Sequence, residues 1–246
     1  MKMDNVFLGE LVGTAVLIAF GCGVVANVSL KESKGLGGGA IVVYTGWAMA
    51  VVMGVSCGLA IGNTGDLNTA VTFFKLLMGV YSVPVAINIM IAQLLGAIVG
   101  AALVWLAYLP HWEATEDKTA KLGVFSTIPA IRSYGANALC EFIASTFLFF
   151  IFISFGSKFV SGPTGFQPGM GTYMAGLAVW AVGLSFCGPT GYAVNPARDL
   201  GPRIAHAILP IAGKGSSDWG YSWVPVVAPM AGAVAAVVLA KIFAII

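Results

Sequence analysis

Two short strings in opposite halves of the chain carry its chemistry. They are GDLNTAVT around Asn68 and GYAVNPARD around Asn195. Asparagine is a strong helix N-cap, and each of these two precedes a short apolar segment. A capping Asn turns its side-chain oxygen to backbone N–H groups, which leaves its amide NH2 as a donor. Two such caps meeting in one space would also bring two positive helix ends together. That arrangement suits neutral hydrogen-bonding solutes and opposes protons and cations. It makes and breaks no covalent bond. Each half also opens on an apolar segment with one acid, Glu10 in GELVGTAVLIAF and Glu141 in CEFIASTFLFF. Glu10 precedes Asn68 by 58 residues and Glu141 precedes Asn195 by 54. Matched, interrupted apolar segments in two halves point to a site at the membrane midplane, and hence to a pore or transporter.

The composition says what must position these residues. It is 59% hydrophobic and 9% charged, where a soluble domain carries about a quarter charged residues. Long apolar runs cover 6–29, 40–61, 83–109, 134–156, 171–187 and 221–246. Each is close to or above the roughly 20 residues that cross a bilayer core. They show no strand-like alternation, so they read as helices whose backbones satisfy themselves in lipid. The expectation is an all-α membrane protein with six transmembrane helices, one channel domain over 1–246. Its repeats would cover about 1–109 and 134–246, joined by a polar linker at 110–133. Three spans per half is an odd number, so the second repeat enters from the other side and the repeats are inverted. The segments 69–80 and 196–212 are too short to cross and read as re-entrant half helices. Gly-rich stretches precede each, suiting backbone that lines a cavity.

The net charge of +2 and the lack of any Lys/Arg cluster give no ground for nucleic-acid binding. The cysteines Cys22, Cys57, Cys140 and Cys187 fall in or at the end of apolar runs and read as packing residues. His111 and His206 are isolated, so no metal site and no cofactor is expected. The first run has little n-region and no small-residue cleavage site, and reads as a retained span.

NPARD, its inverted Asn-x-Ala partner and the paired Glu residues resemble the major intrinsic proteins, the aquaporins and glycerol facilitators. The resemblance covers essentially the whole chain. It implies that Asn68 and Asn195 form the pore centre, with Glu10 and Glu141 bracing the loops. The carbonyls of Thr64, Gly65, Asp66, Gly191, Tyr192 and Ala193 would line the pore. Arg198 is the filter arginine of the resemblance, and a charge within the membrane thickness is a functional hypothesis by default. Local matching of GWAMAVVMGV and GLSFCGPTGYAVN adds Trp47, Gly183 and Tyr192 to that filter, with the two rings forming an apolar wall. Asp199 after Arg198 is similar to the glycerol-conducting branch, as is the linker string GVFSTIPAI; Asp199 would brace a neighbouring loop. Two departures stand out. Thr69 replaces the usual Pro, and Asp66 replaces the usual His, which puts an acid near one mouth that could attract cations or change pH sensitivity.

The resemblance implies a passive channel for glycerol and related small uncharged solutes with some water, in a homotetramer within a bacterial-type plasma membrane. A water-selective channel is the alternative if Trp47 is out of the filter register. A proton-coupled small-solute transporter is the second, because Glu10, Glu141 and Asp66 are buried acids. A dependence of uptake on a pH gradient separates that one. No nucleophile–base pair suggests an enzyme.

Overall fold

The computed structural model describes residues 3–62 and 64–246, and the fold is helical. Among the described residues, six helices are long and apolar enough to cross a membrane: α1 (Met3–Ser29), α2 (Ala40–Ile61), α4 (Val83–Ala107), α7 (Tyr134–Ser154), α9 (Met170–Thr190) and α11 (Val224–Ile242). Two shorter helices, α3 (Thr69–Leu77) and α10 (Pro196–Ile208), follow α2 and α9. At 1.5 Å per residue they reach about 13 Å and about 20 Å, roughly half of a membrane core or a little more. Both half helices end earlier than the apolar pattern suggests, because Met78 and Leu209 close them.

The packing repeats between the halves. α1 lies against α2 and α4, as α7 lies against α9 and α11. α3 packs on α11, and α10 packs on α4, so each half helix is held by the last span of the other half. Small residues allow these close approaches, as is usual where lipid supplies no hydrophobic drive between helices. At Gly96 a Cβ would stand 2.2 Å from the Leu11 carbonyl oxygen of α1, and at Gly100 2.4 Å from that of Ala15. Backbone atoms cannot yield, so α4 meets α1 only with glycine at those positions.

The stretch between the halves is more than a linker. It contains α5 (Leu109–Ala114) and α6 (Lys118–Phe125), and a one-turn α8 (Lys158–Ser161) follows α7. Asp117 caps α6 by accepting from Thr119 N at 2.7 Å and Ala120 N at 3.1 Å. Trp112 and Phe125 stack with ring centroids 5.5 Å apart and are both buried. α6 packs on α1 and α10, which brings the connection next to the second half helix.

Candidate functional site

α3 and α10 begin in the same way. Asn68 and Asn195 are both extended (φ −150° and −151°), and each side chain caps its helix. Asn68 Oδ1 accepts from Ala70 N at 2.9 Å. Asn195 Oδ1 accepts from Ala197 N at 3.0 Å and Arg198 N at 3.2 Å. The amides do not point wholly into the lumen, as capping alone suggests. Asn68 Nδ2 donates to the Val194 carbonyl at 2.9 Å, and Asn195 Nδ2 donates to the Leu67 carbonyl at 2.8 Å. Each amide thus spends one hydrogen on the other half and keeps one.

The residues just before the asparagines are strained. Leu67 (φ +51°) and Val194 (φ +42°) occupy the left-handed region, at a cost of about 1–2 kcal/mol each. Two buried acids hold them there. Glu10 accepts from Asp66 N at 2.8 Å, Leu67 N at 2.9 Å and the Thr64 hydroxyl. Glu141 accepts from Ala193 N at 2.8 Å, Val194 N at 3.0 Å and the Thr190 hydroxyl at 2.7 Å. A carboxylate taking several N–H groups can stabilise a backbone that would not hold alone.

A cavity of about 540 Å³ runs past both asparagines, with Trp47, Tyr192 and Arg198 in its wall. Thr64, Gly65, Asp66, Tyr192 and Ala193 line it too. Among the described residues, the carbonyl oxygens of these five accept no hydrogen bond from the protein, so they are free acceptors. Gly191 is not part of the lining; it caps α9 beside Thr127.

The four residues matched to a filter are not arranged as two rings against one cation. The Arg198 guanidinium carbon stands 4.0 Å over the centre of the Trp47 ring, a cation–π contact. The aromatic partner of Tyr192 is instead Tyr44, edge-on at 6.0 Å. Gly183 stands behind Tyr192 and outside the lining: a Cβ there would meet the ring carbon Cζ at 3.0 Å and the hydroxyl at 3.1 Å. Its missing side chain makes room for the Tyr192 ring.

The family model described as "Major intrinsic protein" matches residues 1–240. This chain belongs to the major intrinsic protein family. It is 48% identical over 230 residues to the "Probable glycerol uptake facilitator protein" of Thermotoga maritima, covering 94% of this chain and 95% of that one. It is 47% identical to the "Glycerol uptake facilitator protein" of Bacillus subtilis, covering 92% and 80%. The X-ray structure of the aquaglyceroporin from Plasmodium falciparum superimposes with a TM-score of 0.86 at 28% identity, over 98% of this chain and 96% of that one. The protein is therefore an integral, multi-pass membrane protein.

This major intrinsic protein departs from the sequence reading at Asp66, which is not a free acid at the mouth. Its side chain is fully buried and ion-paired with Lys75. It also accepts from the Thr72 hydroxyl at 3.0 Å and the Tyr81 hydroxyl at 3.4 Å. Asp199 accepts from Thr127 N and Oγ1, both at 2.7 Å, and from Arg203 Nε at 2.9 Å. Sequence reasoning missed several residues that shape the site. Phe125 offers its carbonyl to Arg198 Nη1 at 3.2 Å and so aims the guanidinium. Phe125 and Thr127 both lie in GVFSTIPAI, a string noted for its resemblance but not for a contact. Gly21 clears space for Trp47, since a Cβ there would lie 2.1 Å from a ring carbon. No local signal marks Gly21 or Lys75.

Proposed function

We propose that this chain is a passive channel for glycerol and related small uncharged solutes, with some water, and that it excludes ions and protons. The observation that carries the reading is the crossed pair of asparagines, where two half helices begin head to head on one cavity. Their positive ends and spare amide hydrogens favour neutral donors and acceptors over cations. Asn68 and Asn195 form the pore centre. The free carbonyls of Thr64, Gly65, Asp66, Tyr192 and Ala193 take a solute's hydroxyls in turn. Arg198, stacked on Trp47, and Tyr192, seated on Gly183, form the selective constriction. The names of the relatives support glycerol as the solute. Glu10 and Glu141 are spent on loop amides and Asp66 on Lys75, which leaves the buried acids to structure and not to proton coupling.

The two halves, about 1–109 and 134–246, are inverted repeats of one channel domain. Family resemblance supports a homotetramer in a bacterial-type plasma membrane, with a pore in each subunit and no enzymatic activity. Light scattering of vesicles carrying the protein tests the reading. A glycerol gradient should give rapid shrinkage and then re-swelling as solute enters, and an impermeant osmolyte shrinkage alone. Shrinkage without re-swelling in glycerol would show a water-selective channel.

A further inference from the structure

Among the described residues, three charged ones line the cavity: Asp66, Lys75 and Arg198. Arg198 lies in the first turn of α10. Lys75 lies on α3, about 10 Å along the helix from Asn68. Val71, Phe74, Lys75 and Met78 all line the cavity at helical spacing, so Lys75 stands on the lumen face of α3. Its side chain is 29% exposed and the Asp66 side chain is not exposed at all. The ammonium bonds to Asp66 Oδ1 and sits 5.8 Å from the centre of the Tyr81 ring. Thr72 and Tyr81 give Asp66 hydroxyl donors, but neither carries charge. Lys75 is the cation that offsets this carboxylate.

We propose that Lys75 is a specificity-determining residue: its ammonium cancels the charge of Asp66, so that this end of the lumen holds no cation. A carboxylate left unpaired on a cavity wall recruits a counter-ion, because an isolated buried charge is costly. Without Lys75 the mouth would present one negative charge to every solute that passes. A small cation would then lodge there and obstruct neutral solutes. Loss of Asp66 alone would reverse the sign, leaving an ammonium that holds small carboxylates. The proposal rests on the reading as a channel for uncharged solutes.

The test uses two probes, guanidinium and formate, at millimolar concentration on the full-length protein. Guanidinium should bind Lys75→Met in detergent about tenfold more tightly than it binds the unsubstituted protein, by calorimetry. In vesicles it should slow glycerol entry through Lys75→Met, while formate should not. Asp66→Asn should show the opposite pattern, slowed by formate only. In Asp66→Asn/Lys75→Met the ratio of flux with and without either ion should return to that of the unsubstituted protein. Lys75→Arg should restore indifference to guanidinium. A purely structural role for the pair would lower folded yield in both single variants with no opposite ion sensitivities. Lys75→Gln, which keeps a donor without charge, serves where Lys75→Met does not fold. Glycerol entry through the unsubstituted protein, with neither binding nor block by guanidinium in Lys75→Met or Lys75→Gln, overturns the proposal alone. Guanidinium binding to Lys75→Met in a protein that passes no glycerol overturns the channel reading and leaves the charge assignment standing.

Discussion

At the scale of single residues, the two half helices do not start equally well. Pro196 follows Asn195, whose side chain caps two amides, whereas Thr69 follows Asn68, which caps one. The Thr69 hydroxyl is buried and has no partner among the described residues. Proline suits a first helical position, since it needs no N–H partner there and its φ is already set. Thr69→Pro should therefore leave glycerol entry largely intact while removing an orphaned hydroxyl. Asn68→Ala should do worse. It loses the cap, worth about 1 kcal/mol, and the bond that reaches Val194. Flux at matched folded yield checks both, and normal conduction by Asn68→Ala alongside a dead Thr69→Pro would remove Asn68 from the pore centre. Gly183→His should cut glycerol entry far more than water flow, because a Cβ at 3.0 Å already presses Tyr192 toward the lumen. Equal losses of both fluxes would detach Gly183 from the constriction. Gly21→Ala should behave similarly through Trp47, whose buried ring has no other place to go.

At the scale of elements, the C-terminal end of α10 has a positive stopper. Lys214 Nζ donates to the carbonyls of His206 at 2.8 Å, Ala207 at 2.7 Å and Leu209 at 2.6 Å. These are carbonyls that a helix end otherwise leaves unpaired, and a cation there also complements the helix dipole. Lys214→Met should lower stability in detergent by on the order of 2 kcal/mol, read as a fall in thermal midpoint with the helical signal unchanged below it. No fall would mean that water replaces the ammonium freely. The spans and half helices were legible from the sequence because unbroken apolar runs and Asn starts leave few alternatives in lipid. α5 and α6 were not, since six- and eight-residue helices show too little periodicity to read. The partner of Asp66 escaped for a related reason. Lys75 lies nine residues on, and only a helix of known phase and a turn of known shape bring the two together. The stacking of Arg198 on Trp47 was not legible either, because residue types report that aromatics are present but not which face a guanidinium takes.

At the scale of the whole molecule, the charge inventory of the lumen sets the transport law. With Glu10, Glu141, Asp66 and Asp199 each engaged by protein donors, glycerol entry should rise linearly with its gradient. It should not respond to membrane potential or to a pH gradient imposed across the vesicle. Radiolabelled uptake under valinomycin-clamped potentials and pH jumps checks this, and accumulation against the glycerol gradient would point to coupling. The same packing pattern in both halves, with each half helix leaning on the other half's last span, puts residues of both halves in the lining of the lumen.

The crossed amide bonds made by Asn68 and Asn195 join residues 126 and 128 positions apart. Their consequence lies in the order of synthesis. While the second half is still being made, Asn68 has no Val194 to reach and Leu67 offers its carbonyl to nothing. The lining draws on residues of both halves, so the conduit is complete only once the second half is in place. Completion of the fold and opening of the path are one event.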